Sequence, residues 1–283
     1  MPPQRLLVLC ALFCSGASAQ WLNYPTPGMP RTRDGKPNLT APAPRAANGK
    51  PDLSGVWLHE RMSPADIKQL FGSGPVSGAD PLSVPGMELD TLSKYGFNIL
   101  IDFKPGESPM RSAAADIFQR RATGMEERGT CQPVGIPIAG LVSEPNKIVQ
   151  SPAMTVILYE SDGSHRQIYT DGRPLPKEIA QPSWLGYSAG HWERDTLVVE
   201  TAGFNDKTWL DVTGHPHSEA LRIVERLHRR DFGHLDVEMT FDDPVMYTRR
   251  FTIQYTEALL ADSDIFEYFC SENEKDSSHI GKH

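Results

Sequence analysis

The chain has 283 residues and a formal net charge of −8. This length is enough for one large domain or a domain with an extension. Nucleic-acid binding depends on Lys and Arg neutralising phosphates, so an acidic chain without a basic run argues against a nucleic-acid partner. After the N-terminal residues, no apolar run approaches the roughly 20 residues that a bilayer-spanning helix needs, so no membrane span is predicted.

Residues 1–19 have the pattern of a secretory signal peptide. Arg5 supplies a positive charge, residues 6–13 form a short apolar run, and residues 17–19 read small-x-small. We therefore expect cleavage near Ala19 and a mature protein that is periplasmic or secreted. An uncleaved anchor is the alternative.

Two of the four cysteines would leave with this signal peptide, and Cys131 and Cys270 would remain. In an oxidising compartment, two cysteines most simply form one disulfide. Two unpaired buried thiols are the alternative.

The next segment, residues 20–52, is rich in Pro, Ala, Gly and Asn and is interpreted as an extended arm. It contains a short echo, since residues 35–40 (GKPNLT) recur as residues 49–54 (GKPDLS). Residues 53–283 are expected to form a single mainly-β domain with a helical and loop insertion at about 60–130. Within the insertion, Ser63 and Pro64 are typical of a helix start, and a second helix is expected from Ser108.

Alternation of apolar and polar residues with period two predicts strands after residue 153, and residues 53–57 suggest a first strand. The clearest case is residues 235–241, where Leu, Val, Met and Phe alternate with Asp, Glu and Thr. Residues 131–152 are expected to be mostly irregular, and residues 265–270 to form the last strand. Short strands joined by tight turns indicate an antiparallel sheet, closed as a barrel of about eight strands or open as a β-sandwich.

The pattern G-x-S-x-G at residues 186–190 is weak evidence for a serine nucleophile at Ser188. In α/β-hydrolases that serine lies on a strand-to-helix turn. Here a β run follows and no helix does, so a turn relieved by Gly186 and Gly190 is the preferred interpretation.

His215 and His217 are the candidate metal ligands. In an extended segment, both imidazoles and Glu219 would point to one side, where they could hold zinc or a non-haem metal. Pro216 and Gly214 make the segment a loop, however, and loop histidines are commonly solvated. The sequence therefore does not specify a cofactor.

Glu225 is placed on the apolar face of its predicted strand, beside Ile223 and Leu227. A buried carboxylate must find a partner or rise in pKa, and the second environment suits a general acid or base. The preferred alternative is an ion pair with an arginine such as Arg166 or Arg173. Glu267 raises the same question.

A second group of candidates surrounds the turn at residues 171–173, where Asp171 and Arg173 are expected to pair across a hairpin. Aromatic side chains nearby are expected either to form the wall of a ligand pocket or to belong to the core. The aromatic candidates are Tyr169, Trp184, Tyr187, Trp192, Phe204 and Trp209.

The order of several motifs resembles a family of exported bacterial proteins. These motifs are residues 48–57, 131–133, 147–152, 168–173, 186–201, 217–218, 225–226, 242–244 and 270–273. The resemblance covers nearly the whole mature chain and implies one exported domain, but it assigns no activity and no catalytic residue. In that family the Asp-Gly-Arg motif often continues x-His-Pro, whereas this chain has Leu175 before Pro176. A weaker similarity, Gly55-x-Trp57, resembles the opening strand of lipocalin-like barrels.

The preferred functional hypothesis is binding of a small, partly apolar molecule inside the barrel. Arg173, Glu225 and His217 would orient the ligand, and Trp184, Tyr187, Trp192 and Trp209 would bury it. One alternative is an acid–base or metal-assisted enzyme of the isomerase, lyase or hydrolase type, with Glu225 or Asp171 as base and His217 as acid or ligand. Another is an envelope interaction protein that uses the arm.

Overall fold

The computed structural model describes residues 25–71, 83–84, 87–88, 93–124 and 132–267. The predicted signal peptide and both cysteines of the predicted disulfide, Cys131 and Cys270, lie outside these ranges. No helix in the described ranges is long and apolar enough to span a bilayer.

The described elements are mostly strands. In chain order they are β1 (Gly55–His59), α1 (Pro64–Phe71), β2 (Ser83–Val84), β3 (Met87–Glu88), α2 (Lys94–Phe97), α3 (Ser112–Ala122), a 3-10 turn (Ile138–Gly140), β4 (Asn146–Gln150), β5 (Met154–Tyr159), β6 (His165–Tyr169), β7 (Tyr187–Glu193), β8 (Thr196–Ala202), β9 (Arg222–Arg229), β10 (His234–Asp242) and β11 (Phe251–Leu259).

Nine of these strands form a closed barrel in the order β1-β11-β10-β9-β8-β7-β6-β5-β4, and β2 and β3 form a separate two-stranded pair. The mainly-β, closed-barrel prediction is confirmed. The prediction of a purely antiparallel sheet was wrong, because β6 and β7 run parallel. Residues 170–186 separate them, which is long enough for the crossover that parallel neighbours require.

Two strand predictions are corrected. Residues 146–150, expected to be irregular, form β4, which pairs with β1 on one side and β5 on the other. The barrel closes through β11 and β1, while residues 265–267 are described and are not a strand. The sequence pattern did not reveal β4 because its only adjacent apolar residues are Ile148 and Val149. The segment is a strand because its backbone forms hydrogen bonds with β1 and β5.

The helices are few and short. Ser63 and Asp66 form a reciprocal cap at the start of α1, since Ser63 N donates to Asp66 Oδ2 at 2.9 Å and Asp66 N donates to Ser63 Oγ at 3.2 Å. The second predicted helix exists as α3 but begins at Ser112 rather than near Ser108.

The predicted period-two alternation places the apolar side chains of β10 in the core. Leu235, Val237, Met239 and Phe241 of β10 are all buried, and the polar residues between them are less so. Side chains from the other strands pack against them and fill the barrel.

The echo in the arm is a pair of equivalent loops. Arg31 forms a bridge with Pro37, and Arg45 forms the same bridge with Pro51. Each arginine donates from Nη1 to the carbonyl of the loop glycine, Gly35 or Gly49, and each glycine has positive φ. Thus a short sequence echo encodes a repeated local structure.

The two loops are anchored to different parts of the barrel. Arg31 pairs with Asp262 beyond β11, and Arg45 pairs with Asp195 in the turn between β7 and β8. Farther along the barrel rim, Gly233 N donates to Leu39 O at 2.7 Å and holds the chain between the loops. The arm therefore packs along the barrel rim.

Candidate functional site

The parallel contact between β6 and β7 is the shortest seam of the barrel. Only Ile168–Ser188 and Tyr169–Ala189 are paired there, so the first half of β6 has no ladder partner on this side. A groove of about 430 Å³ lies over the seam, called the seam groove below. Its lining residues are Pro133, Ser164, His165, Arg166, Gln167, Tyr169, Ser183, Trp184, Leu185, Gly186 and Tyr187.

Stacked side chains form one edge of the seam groove. The rings of Tyr169 and Tyr187 stack with centroids 5.3 Å apart and planes inclined by 24°. The Arg173 guanidinium lies over the Tyr169 ring at 4.0 Å and donates to the Tyr187 hydroxyl at 3.5 Å. The three side chains therefore form one stacked edge.

Asp171 holds Arg173 in this stack. Arg173 Nη2 donates to Asp171 Oδ2 at 2.6 Å, and the hydrogen bonds from Arg173 lower the pKa of the Asp171 carboxyl. The predicted Asp171–Arg173 pair is therefore present, but it begins the crossover to β7 rather than closing a hairpin. An ionised carboxylate already engaged by arginine is a poor general base.

The opposite side of the groove contains Trp184 and an unpaired hydroxyl. Trp184 is half-buried, with the Lys207 ammonium 6.0 Å from its ring. The Ser164 Oγ atom is buried and has no hydrogen-bond partner among the described residues. An unsatisfied buried hydroxyl is unfavourable by about 1–3 kcal/mol, so a ligand atom that reached Ser164 Oγ would gain a hydrogen bond there.

Arg166, which also lines the seam groove, points into the barrel and pairs with Glu225. Arg166 Nη1 donates to Glu225 Oε1 at 3.0 Å, Nη2 donates to Glu225 Oε2, and both side chains are only 2% exposed. Arg166 also donates to Ser188 Oγ at 3.0 Å and to Thr201 Oγ1 at 2.7 Å. Burial alone would lower the pKa of Arg166, but the charge and hydrogen bonds of Glu225 raise it overall.

This network assigns Ser188 to the barrel interior. Ser188 lies within β7 and is buried, so the G-x-S-x-G pattern corresponds neither to a nucleophile elbow nor to the expected turn at Gly190. Gly190 is itself in the strand, where a Cβ atom would come within 3.1 Å of Ile168 and 3.3 Å of Leu197. A side chain at position 190 would therefore press against Ile168 and Leu197.

A second carboxyl group, Glu257 of β11, also faces the interior. Burial raises its pKa to about 8, opposed by a hydrogen bond from Asn146 Nδ2 at 3.2 Å and assisted by the nearby charge of Glu225. Burial also raises the pKa of Tyr159 to about 12 and that of Tyr255 well above its usual value. Burial therefore favours the protonated form of the Glu257 carboxyl.

The free space among these interior groups is small. A cavity of about 20 Å³ is lined by Asn146, Tyr159, Glu225, Tyr255, Glu257 and apolar neighbours. Such a volume is enough for about one water molecule. The interior as described therefore has no space for a ligand of several rings or a long chain.

The two predicted metal ligands have other partners. His215 Nδ1 is 2.5 Å from Asp211 Oδ2, and its ring stacks on Phe118 at 4.2 Å. His217 Nε2 is 2.6 Å from Thr208 Oγ1, and burial lowers the pKa of His217. No group of three or more His, Cys, Asp or Glu in the described ranges could hold a metal ion.

Glu225 and His217 have different hydrogen-bond partners. Glu225 is bound by Arg166, whereas the described hydrogen bonds of His217 go to Thr208 and to the carbonyl of Ser218. The acid–base version of the enzyme hypothesis needed Glu225 and His217 within hydrogen-bond reach, and these bonds give it no support.

The residues predicted to bind a ligand lie in different parts of the structure. Trp184 and Tyr187 line the seam groove and Arg173 stacks on Tyr169 beside it, whereas Glu225 is inside the barrel. Trp192 and Trp209 pack against the hydrophobic core, and the Arg121 guanidinium lies 5.0 Å from the Trp209 ring. Glu267, also considered as a buried acid, is exposed.

Two buried acids outside the candidate set organise the chain. Asp211 accepts hydrogen bonds from the backbone of Ile99, Gly214 and His215. Asp243 accepts from Ser218 N at 2.6 Å and from Ser218 Oγ at 2.9 Å. Both acids lie in turns, where sequence alone does not separate a buried acceptor from a solvated one.

Together these features define a mixed, closed β-barrel with a polar, water-sized interior cavity and an aromatic groove on its outer seam. No protein-family model, curated protein or solved structure matches the chain.

Proposed function

We propose that this protein binds a small, partly apolar molecule in the seam groove. The observation that carries the proposal is the convergence of Tyr169, Tyr187 and Trp184 beside the unpaired Ser164 hydroxyl. The groove volume of about 430 Å³ lies in the range of ordinary ligand pockets.

The seam groove supports binding better than the barrel interior does. A lipocalin-like protein would hold its ligand in the lumen. The lumen cavity of about 20 Å³ and the buried Arg166–Glu225 pair argue against that location here. We therefore place the ligand outside the barrel wall.

The chemistry of the lining suggests how the ligand would lie. A flat apolar ring would pack against Trp184 and Tyr187, since aromatic faces give large contact areas with few rotatable bonds. Polar atoms on its edge would meet Ser164, His165 and Gln167. The prediction is a ligand with one apolar face and at least one hydrogen-bonding group.

The test uses indole, phenol and cyclohexanol as probes with the full mature chain. Saturation-transfer NMR should show binding of a ring probe to the wild type and its loss in Trp184→Ala and Tyr187→Ala. Tyr187→Phe, which keeps the ring, and Val149→Ala, at an exposed position on β4, should retain binding. Equal binding by all variants, or no binding of any ring probe to the wild type, would contradict the proposal.

We also propose that the protein acts after export, with Cys131 and Cys270 joined as a disulfide. The signal-peptide pattern of residues 1–19 supports export. Native mass spectrometry of protein purified from its own host would read the N-terminus, the disulfide and any bound ligand together. A mass that retains residues 1–19 or carries two free thiols would contradict this part.

A further inference from the structure

A second groove, called the arm groove below, lies where the first arm loop meets the barrel. It has a volume of about 750 Å³. Its lining residues are Lys36, Pro37, Leu39, Leu58, Arg61, Ser143, Leu259, Leu260, Ala261, Asp262 and Ser263. None of them belongs to the seam groove, so the arm groove is an independent site.

Much of the lining of the arm groove is apolar. Leu39 and Leu58 are only half-buried, and Leu260 and Ala261 continue the same surface beyond β11. Since β1 directs Trp57 and His59 inward, Leu58 faces the outside of the barrel. An apolar surface left open in this way would be covered by an apolar chain.

The charged groups of the arm groove favour an anionic group on the ligand. The only acid among the lining residues, Asp262, is already paired with Arg31 at 2.6 Å. Within the described ranges Lys36 pairs with Asp34, at 3.3 Å, and both side chains are highly exposed, at 80% and 59%. Such a surface pair is weak and exchanges easily for another anion.

The arm groove also contains a hydroxyl that needs a partner. Ser263 Oγ is buried without a hydrogen bond to any described residue. Within the described ranges, the two such side-chain atoms are Ser164 Oγ and Ser263 Oγ, and each lines one of the two grooves. A carboxylate is acceptor-only and would accept from Lys36; it would reach Ser263 only if the atoms covering that hydroxyl moved.

We propose that the arm groove binds an anionic amphiphile, a fatty-acid-like molecule with an acyl chain and one carboxylate. The chain lies along Leu39, Leu58 and Leu260, and the carboxylate meets Lys36. The first arm loop therefore forms one wall of the binding site in addition to packing on the barrel rim.

The two arm loops provide a matched control. Lys36 and Lys50 occupy equivalent positions in the two loops, but Lys50 Nζ donates to Arg194 O at 3.2 Å and does not line the arm groove. Removing the charge of each lysine in turn distinguishes a direct contact of Lys36 with the ligand from a general effect of positive charge.

The experiment is isothermal titration of the full mature chain with dodecanoate, dodecanol and dodecyltrimethylammonium below their aggregation concentrations. Dodecanoate should bind saturably and with the highest affinity. Lys36→Gln should weaken it by about tenfold, as expected for loss of one charge-assisted hydrogen bond, and Lys50→Gln should not. Leu58→Asn should weaken all three probes.

The thermal transition of each variant shows whether it is folded. If Leu58→Asn does not fold, Lys36→Gln still tests the proposal, because Lys36 is exposed and its replacement should not disturb folding. No saturable binding of dodecanoate would overturn the proposal. Equal effects of Lys36→Gln and Lys50→Gln, or equal affinities for all three head groups, would overturn the assigned carboxylate site. Neither result bears on the seam groove, whose probes and variants differ.

Discussion

Arg166 of β6 and Glu225 of β9 are joined by two hydrogen bonds although β7 and β8 lie between their strands. Neighbouring strands are about 4.8 Å apart, so the Arg166 side chain must reach across the interior. It passes over Ser188 and Thr201, whose hydroxyls it also engages. The ion pair therefore links opposite sides of a seam that has only two paired residues on each strand.

Breaking this pair should be strongly destabilising. Glu225→Gln should lower the free energy of unfolding by about 3–5 kcal/mol, because it leaves a buried guanidinium without its counter-charge. The double variant Arg166→Met/Glu225→Leu should recover much of that loss, since no charge remains buried. Urea unfolding of Arg166→Met, Glu225→Leu and the double variant measures the coupling, and strictly additive losses would contradict the pairing.

Glu257 should make stability fall as pH rises. Its pKa is about 8 in the folded protein against about 4.5 unfolded, so between these values the folded state binds more protons and the unfolding free energy decreases with pH. The full effect is at most about 5 kcal/mol, at about 1.4 kcal/mol per pKa unit.

Glu257→Gln keeps the size and the contact with Asn146 but does not titrate. Thermal unfolding should therefore show the variant more stable relative to the wild type at pH 8.5 than at pH 5. Because Glu225, Arg166, Tyr159 and Tyr255 surround the site, the difference between the two proteins is the relevant quantity. Parallel stability curves would rule out the assigned protonation.

Arg229 should be irreplaceable by lysine. Its guanidinium donates to the backbone carbonyls of Asp52, Ser54, Asp231 and Phe232, and it lies 4.8 Å from the Trp57 ring. Burial lowers its pKa to about 10. An ammonium group cannot reproduce this planar set of donors.

We expect Arg229→Lys to lower the free energy of unfolding by about 2–3 kcal/mol, from lost hydrogen bonds to a charged donor. Arg230→Lys is the control, because Arg230 is half exposed and pairs with Asp236 at the surface. That change should have an effect below about 1 kcal/mol. Similar losses in both variants would refute the role of Arg229 in anchoring the arm to the barrel.

Asp243 and Asp242 should respond very differently to the same substitution. Asp243 accepts from the backbone of Ser218, Val245 and Met246 and from the Ser218 hydroxyl. Asp242 instead pairs with the exposed Arg250. Asp243→Asn should reduce stability by about 2 kcal/mol or more, because an amide replaces one accepting oxygen with a donor.

Asp242→Asn should change stability by less than about 1 kcal/mol. Hydrogen exchange at the Ser218, Val245 and Met246 amides provides a second reading. Faster exchange at these amides is expected only in Asp243→Asn. Equal losses of stability and equal exchange rates in the two variants would show that the hydrogen bonds between Ser218 and Asp243 do not stabilise this end of the barrel.

The outcomes at Glu225 and at the aromatic residues show how far sequence reasoning reaches. Alternation placed Glu225 on the inner face, and the expectation of an arginine partner was met by Arg166. Alternation could not decide which of Trp184, Tyr187, Trp192 and Trp209 share a surface. That depends on how residues 170–186 cross between β6 and β7, which local pattern does not specify.

What the sequence by itself determined is local: the mainly-β class, the inward residues of β10, the cap at Ser63 and the echo of the arm. Each follows from side-chain periodicity or backbone preference within a few residues. Tertiary structure alone decided the parallel seam, strand β4, the contact of Ser188 with Arg166 inside the barrel and the convergence that forms the two grooves. These features depend on which distant strands become neighbours, and barrel closure sets that for all strands together.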